Sequence, residues 1–314
     1  MPAATAALIH GACLLAAVAW PLATYSLSLA CFGLAHALVE LRVLDQRIRP
    51  RLPRRAQLPI VAALAAVFAI RCAANLQWLP RAQAHALELL AGVATVLAVL
   101  PLARSRGAAA RTTVIAVAAA LVLGLLVSPL GTLLVLAVLH NLAPWPLLID
   151  ALPPQRRPQA WQRGAITWLA MPLLVLSGVP TAAATALGLA APEAAPLPSG
   201  PLFDQFGAFV GPDPFASPQL ALLAFSACVY LQCAHYVAVL GVLPRQGQPS
   251  LPRGTVPALL LLALPLLVLW WIDFAGARAW YGTIAGVHAW AEFPALLVLV
   301  SASSTTGRSR TTPG

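Results

Sequence analysis

Apolar residues run along the chain in stretches too long for any half-buried element, and clusters of Pro, Gly and Arg separate them. The first stretch, residues 4–44, would make a helix of about 60 Å at 1.5 Å per residue, roughly twice the thickness of a bilayer core. It divides into two spans, about 3–20 and 24–44, with the turn at Trp20-Pro21. Further spans are predicted at about 58–79 and 83–103, joined by a tight outer turn at Leu79-Pro80-Arg81. The run 112–149 is again too long for one crossing and divides at Ser128-Pro129-Leu130-Gly131. Spans at about 165–190, 219–243, 255–273 and 280–300 follow. Between 192 and 218 lie ten Pro or Gly residues with Glu193, Asp204 and Asp213 and no Arg, a composition that reads as an outer loop over the bundle. The expectation is an all-α, polytopic membrane helix bundle with about ten transmembrane helices, both termini cytoplasmic. Residues 1–314 would form a single integral membrane domain ending in a polar cytoplasmic tail at 302–314.

Composition supports the membrane reading. With 60% hydrophobic and 9% charged residues, a chain of 314 has too little polar surface to cover a water-soluble globule of that size. The net charge of +10 comes entirely from Arg, since the chain has no Lys. With the N-terminus inside, Arg42, the loops after spans two, four, six and eight, and the tail hold 16 of the 19 Arg, all but Arg71, Arg81 and Arg278. That is the positive-inside pattern of a multi-pass protein of the cytoplasmic (inner) membrane, and it explains the basic charge without a nucleic-acid partner. No basic segment precedes the first apolar run and no clear small-residue cleavage site ends it, so it is expected to remain as a span. Cys13, Cys31, Cys72, Cys228 and Cys233 lie in apolar runs without a C-x-x-C, which argues against a disulfide framework or a zinc module.

The chemistry sits in the few ionisable residues inside those runs. His36, His140, His235 and His288 fall within the second, sixth, eighth and tenth predicted spans. These spans run in the same direction, and each histidine lies about 12 to 25 Å from the outer edge, so one site near the midplane is geometrically open to them. His36 with Glu40, and His288 with Glu292, stand four residues apart on one helical face. Ionisable groups at bilayer depth face a bundle interior, where a partner, a cavity or a metal compensates them. Imidazoles with carboxylates are the usual donors for non-haem iron, and imidazole suits copper and zinc as well. Two parallel His-x3-Glu helices place a carboxylate layer one turn to the cytoplasmic side of the imidazoles. Either one four-His metal or a two-metal site fits, with Glu40 and Glu292 as catalytic carboxylates that orient imidazoles or complete coordination. Asn141 and Gln232 are candidate partners of the neighbouring histidines.

Each of these residues also has a plain structural explanation. A single histidine in a membrane helix commonly hydrogen-bonds between helices, and Gln232 can do the same. His10 and His85, near predicted span ends, suit interfacial solvation, and Arg71 is expected to snorkel outward. Pro144 cannot donate to the carbonyl of His140, so that helix should kink or open there. Trp78, Trp270, Trp271, Trp280 and Tyr281 near span ends suit an interfacial belt. Two rivals to a non-haem centre stay open: a haem- or copper-binding membrane protein with two histidines as axial ligands, and a proton-coupled transporter whose His and Glu relay protons.

Four patches carry a resemblance. Gly33-Leu34-Ala35-His36-Ala37-Leu38-Val39-Glu40 resembles the early Gly-x-Pro-His-Gly-Ala-x-Asp motif of the Brp/Blh family of membrane β-carotene cleavage dioxygenases. His140 after an apolar run, His235 in a Cys-x-His context, and His288 followed by Glu292 are similar to that family's later histidines. The chain departs from the pattern at Ala35, Ala37 and Glu40, and has Val239 where the family carries a further histidine. The resemblance implies an Fe(II) dioxygenase on histidines that uses O2 to split a carotenoid, β-carotene giving retinal, as in retinal biosynthesis. The partners would be membrane lipids and an apolar lipid or carotenoid substrate that never enters water.

Overall fold

A computed structural model of the chain describes residues 3–202, 204–205, 217–246, 252 and 254–303. All regular structure among them is helical, with no strand. In order, the helices are α1 (Ala3–Ala19), α2 (Pro21–Arg47), α3 (Arg54–Asn75), α4 (Arg81–Leu97), α5 (Leu100–Arg106), α6 (Ala108–Val127), α7 (Pro129–His140) and α8 (Pro144–Asp150). After them come α9 (Arg157–Ala165), α10 (Met171–Leu176), α11 (Val179–Ala186), α12 (Pro218–Tyr236), α13 (Leu243–Gln246), α14 (Thr255–Ile272) and α15 (Phe274–Ser303). Seven helical runs are long and apolar enough to cross a membrane, or eight if the bent pair ending in α11 counts as one span. Two more apolar helices, α1 and α14, stand at the first and ninth predicted spans. Large apolar side chains lie bare on the outside, Leu58 at 75% and Leu126 at 77% exposure among them. Water would penalise that surface, whereas lipid accommodates it. The chain is thus a multi-pass helical membrane protein.

Proline and serine set the helix starts. Pro21, Pro129 and Pro218 each occupy the first position of a helix, where the missing N–H costs nothing. Ser128 and Ser217 cap two of these helices, accepting from the amides of Gly131 at 3.1 Å and Leu220 at 3.0 Å. The span predicted at 165–190 is not one helix. Gly178 adopts φ +76°, a left-handed conformation that glycine takes without a Cβ penalty. The flanking helices are bent there by 62°.

The chain forms two compact units, Met1–His36 with Leu147–Arg278 and Ala37–Pro146 with Ala279–Gly314. In the first unit, small residues bring helices close: Val18 and Ala19 of α1 pack with Val175, Ala184 and Ala227. Thr24 donates to the carbonyl of Ala16 at 2.9 Å, and Gln232 of α12 donates to the Ser28 hydroxyl of α2 at 2.8 Å. The predicted outer loop folds partly inward, with Leu197 and Leu202 buried. Its Glu193 accepts from the amide of Leu202 at 3.0 Å, and Gln205 donates to the carbonyl of Ser199 and accepts from Arg278. Asp213, Arg253, Arg308 and Arg310 lie outside the described residues.

In the second unit α4 packs on α3, α6 and α7. Here the expectation for Arg71 fails. Its guanidinium does not snorkel outward but makes a two-pronged pair with Glu88 of α4, Nε to Oε2 at 2.9 Å and Nη2 to Oε1 at 2.7 Å. Glu88 is 3% exposed, so its charge needs this partner. Arg71 also donates to the carbonyl of Gly282 on α15 at 2.6 Å. One turn away, Asn75 donates to the carbonyl of Ala279 and the hydroxyl of Thr283, both at 3.0 Å. The indole of Trp290 donates to Glu88 at 3.0 Å.

Candidate metal centre

The second unit contributes four of the predicted site residues. His288 and Glu292 stand one turn apart on α15, as their spacing requires. Glu40 comes from α2 and His140 from the last residue of α7. The helix opens after His140: its carbonyl accepts from Ala143 at 2.9 Å in a tight turn, and Pro144 begins α8. Proline therefore places His140 at a helix end, as the sequence anticipates. His140 Nδ1 lies 2.7 Å from Glu292 Oε2; a neutral ring donating to an ionised Glu292 carries its lone pair on Nε2. The rings of His140 and His288 are nearly perpendicular, their centroids 4.5 Å apart. His288 Nε2 lies 3.8 Å from Glu40 Oε2 and 3.9 Å from Glu292 Oε1. Glu40 is 0% exposed, and His288 and Glu292 are each 1% exposed. Donor atoms of Glu40, His288 and Glu292 all fall within 4.8 Å of one another, a grouping that could hold a metal ion. Such buried carboxylates need a cation, an imidazolium or a proton beside them.

The first unit holds the other two histidines. His36 of α2 and His235 of α12 are buried, with ring centroids 5.0 Å apart and planes at 87°. His36 Nδ1 is 3.3 Å from the carbonyl of Phe32, which makes Nε2 the lone-pair nitrogen. Tyr236 covers this pair, its ring 4.5 Å from that of His36 and 6.0 Å from that of His235. Directly after Tyr236 the helix widens into a π-helical turn, Val237–Val242, a distortion frequent beside functional side chains.

The remaining candidates divide differently. The Asn141 amide donates to the carbonyl of Ala137 at 2.9 Å, and Gln232 ties α12 to α2. His85 is half-buried in the first turns of α4, and His10 of α1 stacks obliquely near Tyr230 at 6.5 Å. Sequence gave no reason to single out Glu88, although one signal exists. Arg71 sits four residues before the end of α3 and Glu88 seven after the start of α4, so a tight hairpin brings them to similar depth.

No protein-family model, no characterised protein and no solved structure shows a detectable match to this chain. What stands is a polytopic helical membrane protein with a buried histidine and glutamate cluster able to hold a metal ion.

Proposed function

We propose that the chain is a non-haem iron oxygenase of the cytoplasmic membrane that cleaves or oxidises a carotenoid or another isoprenoid lipid. Its iron ligands would be His36, His140, His235 and His288, with Glu40 and Glu292 as the catalytic carboxylates. The observation that carries this reading is the buried set of the second unit, where Glu292 holds His140 by Nδ1 at 2.7 Å while His288 and Glu40 stand beside it. Metal-ligating histidines characteristically give their other ring N–H to a carboxylate or a backbone carbonyl. His140 on Glu292 and His36 on Phe32 both follow that rule. Imidazole and carboxylate donors fit Fe(II), and bound iron supplies the activation of O2.

The chain's own residues orient, balance and exclude. Glu292 fixes the ring of His140, and two ionised carboxylates would neutralise one divalent ion in a low-dielectric interior. Tyr236 lies against the rings of His36 and His235 and keeps water from them. In the dioxygenase form of the reaction one carbon–carbon double bond breaks and each carbon takes one oxygen atom of O2. Two aldehydes result without an added reductant. β-Carotene and retinal are proposed on the resemblance alone, against the departures at Ala35, Ala37 and Val239. One rival draws on the same contacts: the His140, Glu292, His288 and Glu40 chain would relay protons in a proton-coupled transporter.

The test is the metal content and visible spectrum of the detergent-purified chain beside its His36→Ala, His288→Ala double variant. Near-stoichiometric iron without a Soret band, lost in the variant, is the expected result. Carotenoid cleavage to aldehydes by the iron-loaded protein would then follow. A Soret band would move the assignment to a haem protein, and stoichiometric copper to a copper protein. No metal after iron reconstitution would leave the proton relay.

A further inference from the structure

We propose that Arg71, Glu88 and Trp290 are positioning residues for His288 and Glu292, locking α15 at one rotation and one axial register so that its donors meet their partners. The inference rests on the metal-centre reading but concerns different residues. Arg71 grips Glu88 with two nitrogens and the carbonyl of Gly282 with the third. Glu88 Oε1 accepts from both Arg71 and Trp290, so one buried carboxylate joins α3, α4 and α15.

The lock acts on one face of α15. At about 100° per residue, Ala279, Gly282, Thr283, Gly286 and Trp290 form a single stripe, and His288 and Glu292 point from the opposite side. The fit along that stripe is close. A Cβ at Gly286 would collide with Arg71 Nε, and one at Gly92 of α4 would collide with the Trp290 ring. Donor atoms sit about 6 Å from a helix axis, so a roll of about 20° would carry them about 2 Å. Metal coordination tolerates about 0.2 Å. A clamp that stops the helix rolling is therefore needed for coordination, whereas apolar packing alone would let the chain fold with its donors misplaced.

The experiment uses the full chain in detergent with Co(II) as an optical probe. Glu88→Gln keeps an acceptor for Trp290 and removes the charge, and Trp290→Phe keeps an aromatic ring but removes the donor together with the outer indole ring that lies against Gly92. Leu121→Ala, a cavity at a buried position of the otherwise largely exposed α6, provides comparable destabilisation without removing a clamp residue. Expected are shifted Co(II) ligand-field bands and an affinity about tenfold to a hundredfold weaker in both clamp variants, as for other residues that orient ligands. Leu121→Ala should lower Tm and leave bands and affinity at wild type. Clamp variants with wild-type bands and affinity would overturn the proposal.

Should wild type take no Co(II), the metal reading fails and the clamp is decided in metal-free protein. There the Tm losses of Glu88→Gln and His140→Ala are compared singly and together. A combined loss well below the sum means that the clamp sets the His140 contact with Glu292, and strict additivity overturns the proposal.

Discussion

At the residue scale the informative contrast is between Glu292 and Asn141, two polar side chains near the same histidine. Glu292 holds His140 Nδ1 at 2.7 Å and faces His288 at 3.9 Å, while Asn141 spends its amide on the carbonyl of Ala137. Glu292→Gln preserves shape and still accepts from His140, but it removes a charge that would balance a divalent ion. Glu40→Gln does the same beside His288. Each is expected to weaken Fe(II) or Co(II) binding about 10- to 100-fold, the usual effect of losing a partner that orients a ligand. Asn141→Ala and Gln232→Ala should leave affinity unchanged, because their amides satisfy helix-to-helix or within-helix bonds. Metal titration of the four variants decides it, and an Asn141→Ala protein as weak as Glu292→Gln would reverse the assignment of roles.

At the element scale, close approach between helices replaces the amphipathic face of a soluble protein, because lipid gives apolar side chains no reason to turn inward. Gly92 against Trp290 and Gly286 against Arg71 are the tightest such contacts on α4 and α15. Gly92→Ala and Gly286→Ala should each destabilise by about 1 to 3 kcal/mol, the range for overpacking a filled interior. Gly11 in α1 has nothing within 4 Å of an added Cβ. Gly11→Ala should therefore be neutral or gain up to about 1 kcal/mol of helix propensity. Thermal unfolding in one detergent compares the three, and a Gly286→Ala protein as stable as Gly11→Ala would mean that α15 is free to shift.

The same element-scale physics explains what the sequence disclosed. Starts of α2, α7 and α12 were legible because Pro and Ser act locally through a missing N–H and a capping hydroxyl. The opening after His140 was legible for the same reason. The break at Gly178 was not, since a lone glycine inside an apolar run signals either a kink or nothing. His288, Glu292, Glu40 and His140 stood out as costly groups in apolar runs, and they come together. Arg71 misled because its partner is 17 residues away, and only the α3–α4 turn decides whether an arginine reaches water or a carboxylate.

At the scale of the whole molecule the open quantity is orientation, and basic loops make it predictable. Arg104, Arg106 and Arg111 follow α4, and Arg156, Arg157 and Arg163 lie between α8 and the next π-helical turn, whereas the Leu76 to Pro80 turn and Ser128 are uncharged. Holding such arginines on the cytoplasmic side fixes the sides of the intervening turns. Alkaline phosphatase fused after Trp78 or Ser128 should be active in a bacterial host, and inactive after Arg106 or Arg156. Replacing Arg104 and Arg106 by Gln should raise activity at the 106 fusion, because the positive-inside bias is then weakened. The first helix is a separate question. α1 has 17 residues, about 26 Å of helix against a core of about 30 Å. A cytoplasmic N-terminal tag together with the alternating fusion pattern means that α1 crosses and both ends of the bundle start from the same side. The same pattern with an externally reactive tag means that α1 stops short and the chain crosses one time fewer, because the sides of the later turns depend on the basic loops and not on the first hairpin.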